Sequence, residues 1–288
     1  MAGCAPGGGA EPPDRFDRGT IYVSADESFK PVVDAQVQVY EAEYPDAKIV
    51  VHYKPEAECI KDFLIDSIRM VITTRRFTNE EMQVVTDSFK VLPRQATIAY
   101  DAIAVVVNKQ SPDSFFTMPE LRSLISQKGN NNLIPVFDGV RATSTVRFML
   151  DSLLKGVPLG THVTAAQNSE GVLDYVSGNR NAVGFVGVSW IGNKEDSGQL
   201  SFLQKVTIAN IQSTDNPEGY IKPYQANIYA WRYPMVRDLV YLLKEKHRGL
   251  GSGFANFLTG DRGQLIFRRA YLLPAHKPFF LRPTVLGE

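Results

Sequence analysis

Hydroxyl side chains recur in this chain where an extended segment gives way to a helical one. Ser28 follows the strand-like run 20–24 and opens a helical pattern. Thr73 and Thr74 close the apolar run 68–74, and Thr143, Ser144 and Thr145 open a helical stretch that carries Arg147. A helix start leaves its first amides unpaired and carries about half a positive charge, so hydroxyls gathered there favour an anion. Arg75, Arg76, Arg141 and Arg147 stand beside these junctions. A planar guanidinium donates two bonds to a tetrahedral oxyanion. Each hydroxyl taken singly is also an ordinary N-cap, and each arginine a solvated surface group. The anion reading rests on three such junctions at strand ends, where a parallel sheet holds its ligands.

Other chemistries find little support. The chain contains no G-x-x-x-x-G-K-[ST] segment and no G-x-G-x-x-G after a strand. His52, His162, His247 and His276 are scattered without metal-ligand spacing, so neither a metal nor a cofactor is expected. Residues 187–192 (GVSWIG) approach the G-x-S-x-G nucleophile elbow but miss its last glycine by one position. A serine hydrolase using Ser189 is thus a weak alternative, and no enzyme activity is expected. Lys and Arg total 31 against 31 Asp and Glu, so no global positive field exists to hold a nucleic acid. No run approaches the roughly 20 apolar residues of a membrane-spanning helix.

The elements that must position these groups read as α/β. Of the 288 residues, 44% are hydrophobic, enough for packed cores in about two domains. Runs at 20–24, 48–53 and 68–74 read as strands. Between them lies a helix with Val33, Val37, Tyr40 and Tyr44 on one face, ended by Pro45, and then a helical segment 56–67 holding a buried Cys59. This alternation predicts a parallel sheet covered by helices. Thr78 with Glu81 and Thr117 with Glu120 form capping boxes that mark two further helix starts. The run 96–108 is long for one strand and has Tyr100 and Asp101 in its middle, so it is expected to pass from one domain to another. Val146, Met149, Leu150 and Leu153 predict a helix ended near Gly156. Residues 182–188 predict a buried strand whose glycines permit a close approach, and 239–243 a last strong apolar run before helical pieces at 254–258 and 263–269. Residues 1–19 are expected to be a flexible tether. Its start, small residues and then Cys4, resembles the end of a bacterial lipoprotein signal, so Cys4 is expected to carry lipid.

The order of these pieces resembles the substrate-binding proteins of bacterial phosphate ABC transporters, which have the type II periplasmic-binding-protein fold. The resemblance runs over about residues 20–275. It is carried by the helix opening at Ser28, Phe29, Lys30 and Pro31, the strand end Ile72, Thr73, Thr74 and Arg75, and the crossover 100–108. It continues through Thr143, Ser144 and Thr145, the strand 182–185, the Tyr233 to Arg237 element, and Gly263 and Gln264 with Leu273 and Pro274.

The resemblance implies two lobes, each a mostly parallel sheet flanked by helices, with the ligand cleft between them. Lobe one would comprise 20–100 and 233–288, lobe two 101–232, with hinges near Tyr100 and Tyr233. It implies capture of inorganic phosphate or a related oxyanion and delivery to an ABC transporter permease, by a monomer in the periplasm or cell envelope. An envelope anion sensor or scavenger is the alternative on the same fold. The implied ligand-binding residues are Ser28, Phe29, Thr73, Thr74, Arg75, Thr143, Ser144, Thr145, Arg147 and Arg141. Two departures bear on selectivity. Arg75 stands where part of the family has an aspartate that accepts the proton of bound phosphate. The arginine ahead of the family's G-S-G-T segment aligns with Gly139, which leaves Arg141 or Arg147 to supply that charge. Asp26 and Asp101 are candidate acceptors, and Glu27 is expected to serve its own helix start instead.

Overall fold

The computed structural model describes residues 14–126, 132–139, 143–193 and 197–276. In chain order the strands are β1 (Arg18–Asp26), β2 (Asp46–Lys54), β3 (Ile68–Thr73), β4 (Arg94–Asn108), β5 (Phe115–Phe116), β6 (Ile134–Phe137), β7 (Thr164–Ala165), β8 (Ala182–Gly187), β9 (Val206–Ile208), β10 (Asn210–Gln212), β11 (Tyr220–Ile221), β12 (Val236–Leu243) and β13 (Leu273–Pro274). The helices are α1 (Lys30–Glu43), α2 (Glu56–Asp62), α3 (Asn79–Phe89), α4 (Met118–Ile125), α5 (Ser144–Phe148), α6 (Ser169–Gly178), α7 (Ser197–Lys205), α8 (Gln225–Tyr229), α9 (Leu250–Thr259) and α10 (Asp261–Arg269).

The main sheet runs β2-β1-β3-β12-β4-β8-β6-β7, with β9 and β13 also pairing with β4. β1, β2 and β3 are parallel to one another, as are β6, β7 and β8. The 15-residue β4 joins the two groups: its first part pairs with β12, ending at Val236 opposite Ala102, and its second with β8, beginning at Ile103 opposite Gly187. β4 is antiparallel to β8, so the C-terminal ends of β1 and β3 in one lobe face those of β6 and β8 in the other. The expected two-lobe α/β body is present, and its ligand-favouring strand ends meet in the middle.

Local chemistry accounts for most of these elements. Pro31 sits in the first turn of α1, where no amide partner is lost, and Tyr44 leaves the helix because a following proline disfavours helical backbone. Both capping boxes form, at Thr78 with Glu81 and Thr117 with Glu120. The segment expected to be helical over 56–67 is helix only to Asp62. Phe63, Leu64 and Ile65 then turn back with shorter-range bonds, since Leu64 and Ile65 are exposed and give a longer helix no apolar face to bury. After α5 the helix widens into a π-helical turn, Met149–Leu154, and ends at the left-handed Lys155 and Gly156. Cys59 is fully buried with Phe63, Phe77 and Val85.

Separate cores support the halves. Phe29, Val33, Tyr40, Ile72 and Phe254 belong to one, and Val105, Leu121, Phe137, Met149 and Phe185 to another. α6 was not foreseen. Asn168 caps it, and Val172, Leu173 and Val176 bury against β8. Gly184 permits that approach, since a Cβ there would lie 2.7 Å from Val172 and 2.8 Å from Val176.

Candidate functional site

Where the two lobes meet, side chains from five elements form one buried polar cluster. Asp26 at the end of β1 accepts the Ser28 amide at 3.0 Å. Ser28 Oγ donates to Asp138 Oδ2 at 3.2 Å, across the lobes, and lies 3.4 Å from Ser144 Oγ. Asp138 follows β6 and also accepts from Thr145 Oγ1 at 3.2 Å. Thr143 is the N-cap of α5 and accepts from the Val146 amide, so it fixes the turn that presents Ser144 and Thr145. The cluster is sealed: Asp26, Ser28, Asp138, Thr143, Ser144 and Thr145 are all buried.

The cation at its centre is Arg237 on β12. Antiparallel register sets Arg237 opposite Asp101 on β4, and Nε donates to Asp101 Oδ2 at 2.9 Å. Its Nη1 reaches across the lobes to Ser144 Oγ at 2.8 Å and Thr145 Oγ1 at 3.4 Å, and the guanidinium lies over the Phe29 ring. Gly187 clears the way, because a Cβ there would stand 3.1 Å from Arg237 Nη2. Three polar atoms of the cluster have no partner among the described residues: Arg237 Nη2, Asp26 Oδ2 and Asp138 Oδ1. A buried polar atom without a partner costs free energy, so each marks a place for a bonding group.

A second network closes the lobes beside the first. Arg147 of α5 donates from Nε to Glu56 Oε2 at 2.6 Å and from Nη2 to Thr74 Oγ1 at 2.7 Å. Glu56, at the start of α2, also accepts the Thr74 amide and hydroxyl. Glu27 makes a third interlobe contact, accepting the amide and hydroxyl of Ser169 at the start of α6. It was expected to serve its own helix start; the structure gives it to a helix of the other lobe.

The carboxylates divide by environment. Burial, reinforced by the charge of Glu56, pushes Asp26 up to about 7 against the pull of Arg237. Burial likewise raises Asp138, although Thr143, Arg237, Thr145 and Ser28 oppose it, and raises Glu27 to about 7. Burial opposes the charge on Glu56 too, yet the Arg147 guanidinium and the Thr74 bonds hold it below its ordinary value. The cluster therefore gathers hydroxyls (Ser28, Ser144, Thr145) and the Arg237 guanidinium beside two carboxyls that burial makes harder to ionise, Asp26 at about 7 and Asp138 shifted in the same direction.

The residues singled out from the sequence fall into three groups. Ser28, Phe29, Thr143, Ser144 and Thr145 meet in the Arg237 cluster. Thr74 and Arg147 meet in the neighbouring network, while Thr73 donates to the Arg75 carbonyl and Arg75 is turned to Glu81 with bonds of 2.7 and 2.8 Å, away from both clusters. Arg141 and Cys4 lie outside the described residues. Arg237, Asp138 and Glu56 were missed as site residues, and Asp101, a candidate acceptor, is committed to Arg237 and the Val188 amide. Ser189 is buried and donates to the Ser28 carbonyl, and the four histidines bond or stack elsewhere, so none of them serves it as a base.

The family model of the PBP superfamily domain matches residues 10–262. The chain belongs to the PBP superfamily. Solved structures share the fold of this PBP chain at low identity. A putative phosphate ABC transporter substrate-binding protein with bound phosphate from Clostridium perfringens is 19% identical, with a TM-score of 0.71 over 89% of this chain and 100% of that one. An ABC-type phosphate transport receptor from Vibrio cholerae is 18% identical, with a TM-score of 0.62 over 89% and 100%. The substrate-binding domain of a putative molybdenum ABC transporter from Clostridium difficile is 16% identical, with a TM-score of 0.52 over 89% and 99%. No curated protein matches the chain.

Proposed function

We propose that this PBP chain is an extracytoplasmic solute-binding protein that captures inorganic phosphate between its lobes and delivers it to an ABC transporter permease. The observation that carries this reading is the set of three atoms without a partner among the described residues, Arg237 Nη2, Asp26 Oδ2 and Asp138 Oδ1, buried where hydroxyls of both lobes converge. A donor-only site takes any tetrahedral oxyanion. In their ionised form, carboxylates beside the donors accept the proton of a protonated oxyanion and repel fully ionised sulfate. Asp26 and Asp138 thus take the acceptor role that Arg75 cannot fill. Ser28, Ser144, Thr145 and Arg237 hold the oxygens, Phe29 supports Arg237, and Thr143 sets the donor turn. Thr73, Thr74, Arg75, Arg147 and Arg141 are not needed as direct ligands in this reading.

The bound anion lies between 20–100 with 233–288 on one side and 101–232 on the other. The hinge falls where β4 exchanges β12 for β8, between Ala102 and Ile103. Closure excludes water and strengthens each donor. The solved phosphate-transport proteins of the same fold support this ligand class, and lipid on Cys4 would hold the monomer at the envelope. The test is calorimetric titration of protein unfolded and refolded to strip bound anion. The expected outcome is one phosphate site at micromolar or tighter affinity with no sulfate heat. Equal binding of sulfate removes the acceptor role from Asp26 and Asp138, and silence for both anions removes phosphate as the ligand.

A further inference from the structure

The end of lobe one farthest from the cleft carries charge that the cleft does not use. β1 and β3 run toward the cleft, while β12 runs away from it and ends at Leu243, opposite Met70 and Arg94. Beyond that end, the turn after α3 and the loop after β12 line an open cavity of about 500 Å³ with Lys90, Leu92, Arg94, Lys246, His247 and Arg248.

Two acids of this pole, Glu245 and Asp14, are spent inside it. Glu245 accepts the amides of Gly249, Gly251 and Ser252 and lies 3.3 Å from Arg69. Asp14 accepts two bonds from Arg69, one from the Leu250 amide and one contact from His247. Asp66 is the exposed acid here, on the rim of the adjoining cavity that Arg69 and Lys244 also line, so the four exposed cations outnumber it. The cations are not spent. Lys90, Lys246 and Arg248 are exposed and make no ion pair among the described residues, and Arg94, also exposed, gives its guanidinium to the neutral Ser252 hydroxyl. Between Lys90 and Arg94 in the chain, Leu92 is 74% exposed.

Unneutralised cations around an exposed leucine suit a surface of phosphate headgroups over hydrocarbon, where the charges meet the headgroups and the apolar tip enters the boundary. A second observation gives the same direction. Residues 1–13, with Cys4, join the described body at Asp14, and Asp14 is bonded into this very pole through Arg69, His247 and Leu250. A tether attached there starts from this pole, at the end of the lobe away from the cleft.

We propose that this pole is a docking surface for an anionic phospholipid bilayer, made by Lys90, Arg94, Lys246 and Arg248 with Leu92. It rests the body with its cleft facing the aqueous side. Release must precede contact between the cleft and a permease in the same membrane, so the attraction has to be weak and screened by salt.

The test is co-sedimentation of the full chain with phosphatidylcholine vesicles, with or without about one third phosphatidylglycerol. Binding is expected only to the anionic vesicles, and it should disappear in about 0.5 M salt, where screening is short-ranged. Each surface cation contributes roughly fivefold to partitioning, so Lys246→Ala with Arg248→Ala should weaken it by about 25-fold. Lys90→Ala alone should weaken it about fivefold, and Lys109→Ala, an exposed lysine of the other lobe, should change nothing. Absence of binding, equal binding to neutral vesicles, or indifference to the pole variants overturns the proposal. So does displacement by inorganic phosphate at constant ionic strength, which would make the cavity a free-anion pocket. Calorimetric titration of the pole variants with phosphate reports on the cleft separately, so failure of one reading leaves the other standing.

Discussion

Arg237 is the residue on which the candidate site turns. Its charge is buried and balanced by Asp101, so Arg237→Met should leave Asp101 as an uncompensated buried charge and cost about 3–5 kcal/mol. Urea unfolding at pH 7 measures that loss, and phosphate titration of whatever remains folded should show no binding. Asp26 and Asp138 invite a different substitution. Asp138→Asn or Asp26→Asn removes a protonatable acceptor while keeping the shape, so preference for phosphate over sulfate should drop by about tenfold or more, one unpaired polar contact being worth about 1–3 kcal/mol. Titration with both anions decides it, and unchanged discrimination in both variants would remove these two groups from the role. The hydroxyls at Ser28, Thr143, Ser144 and Thr145 were legible because residue type and helix start coincide in sequence. Asp138 was not, because a lone acid after a short strand has no motif. Arg237 had a faint signal: one arginine in the apolar strand VRDLVYLL and one aspartate in AYDAIAVVV each interrupt a core run, and two such interruptions favour pairing with each other.

Among the elements, α6 has its start held by Glu27 of the opposite lobe. Glu27 sits near 7 rather than its ordinary 4.5 because burial disfavours its charge. A carboxyl raised on folding contributes most below the unfolded value, and that contribution is lost as pH rises from about 4.5 through 7. Glu27→Gln is neutral at every pH and still accepts from Ser169, so it should flatten that part of the stability profile. Urea midpoints at pH 5 and pH 7.5 compare the two proteins, with Asp26 leaving some slope in both. Gly184 makes a packing prediction on β8. Gly184→Ala brings a methyl within 2.9 Å of Val172, Val176 and Val106, and should cost about 1–3 kcal/mol in thermal or urea unfolding. Most strands and both capping boxes were readable, since alternation and short-range caps are written locally. The length of α2 was not, because whether Leu64 and Ile65 are covered depends on what packs above them. α6 was missed for a related reason: its cap, Asn168, and its partner, Glu27, are 141 positions apart in the chain.

At the scale of the whole molecule, Arg147 with Glu56 and Thr74 ties the lobes together without facing the unpartnered atoms. Arg147→Ala leaves buried Glu56 without its cation, so it should cost some stability and, in the protein that remains folded, speed phosphate release by about tenfold or more, a hydrogen bond to a charged group being worth about 1.5–3 kcal/mol. Stopped-flow dissociation reads the rate, and an unchanged rate would reduce this contact to ordinary surface pairing. The two-lobe plan was legible from the long run 96–108, yet which groups closure would join was not, since that depends on how opposite strand ends face each other. β4 has one more consequence. A single backbone serves both lobes, flanked by β12 on one stretch and by β8 and β9 on the next. A pull between the lobes along that strand loads its ladders in shear, many bonds sharing the force at once, whereas a pull across it peels them singly. If the body is dragged by one end while the other is gripped, the surrounding loops and short strands should yield first and the crossing strand last.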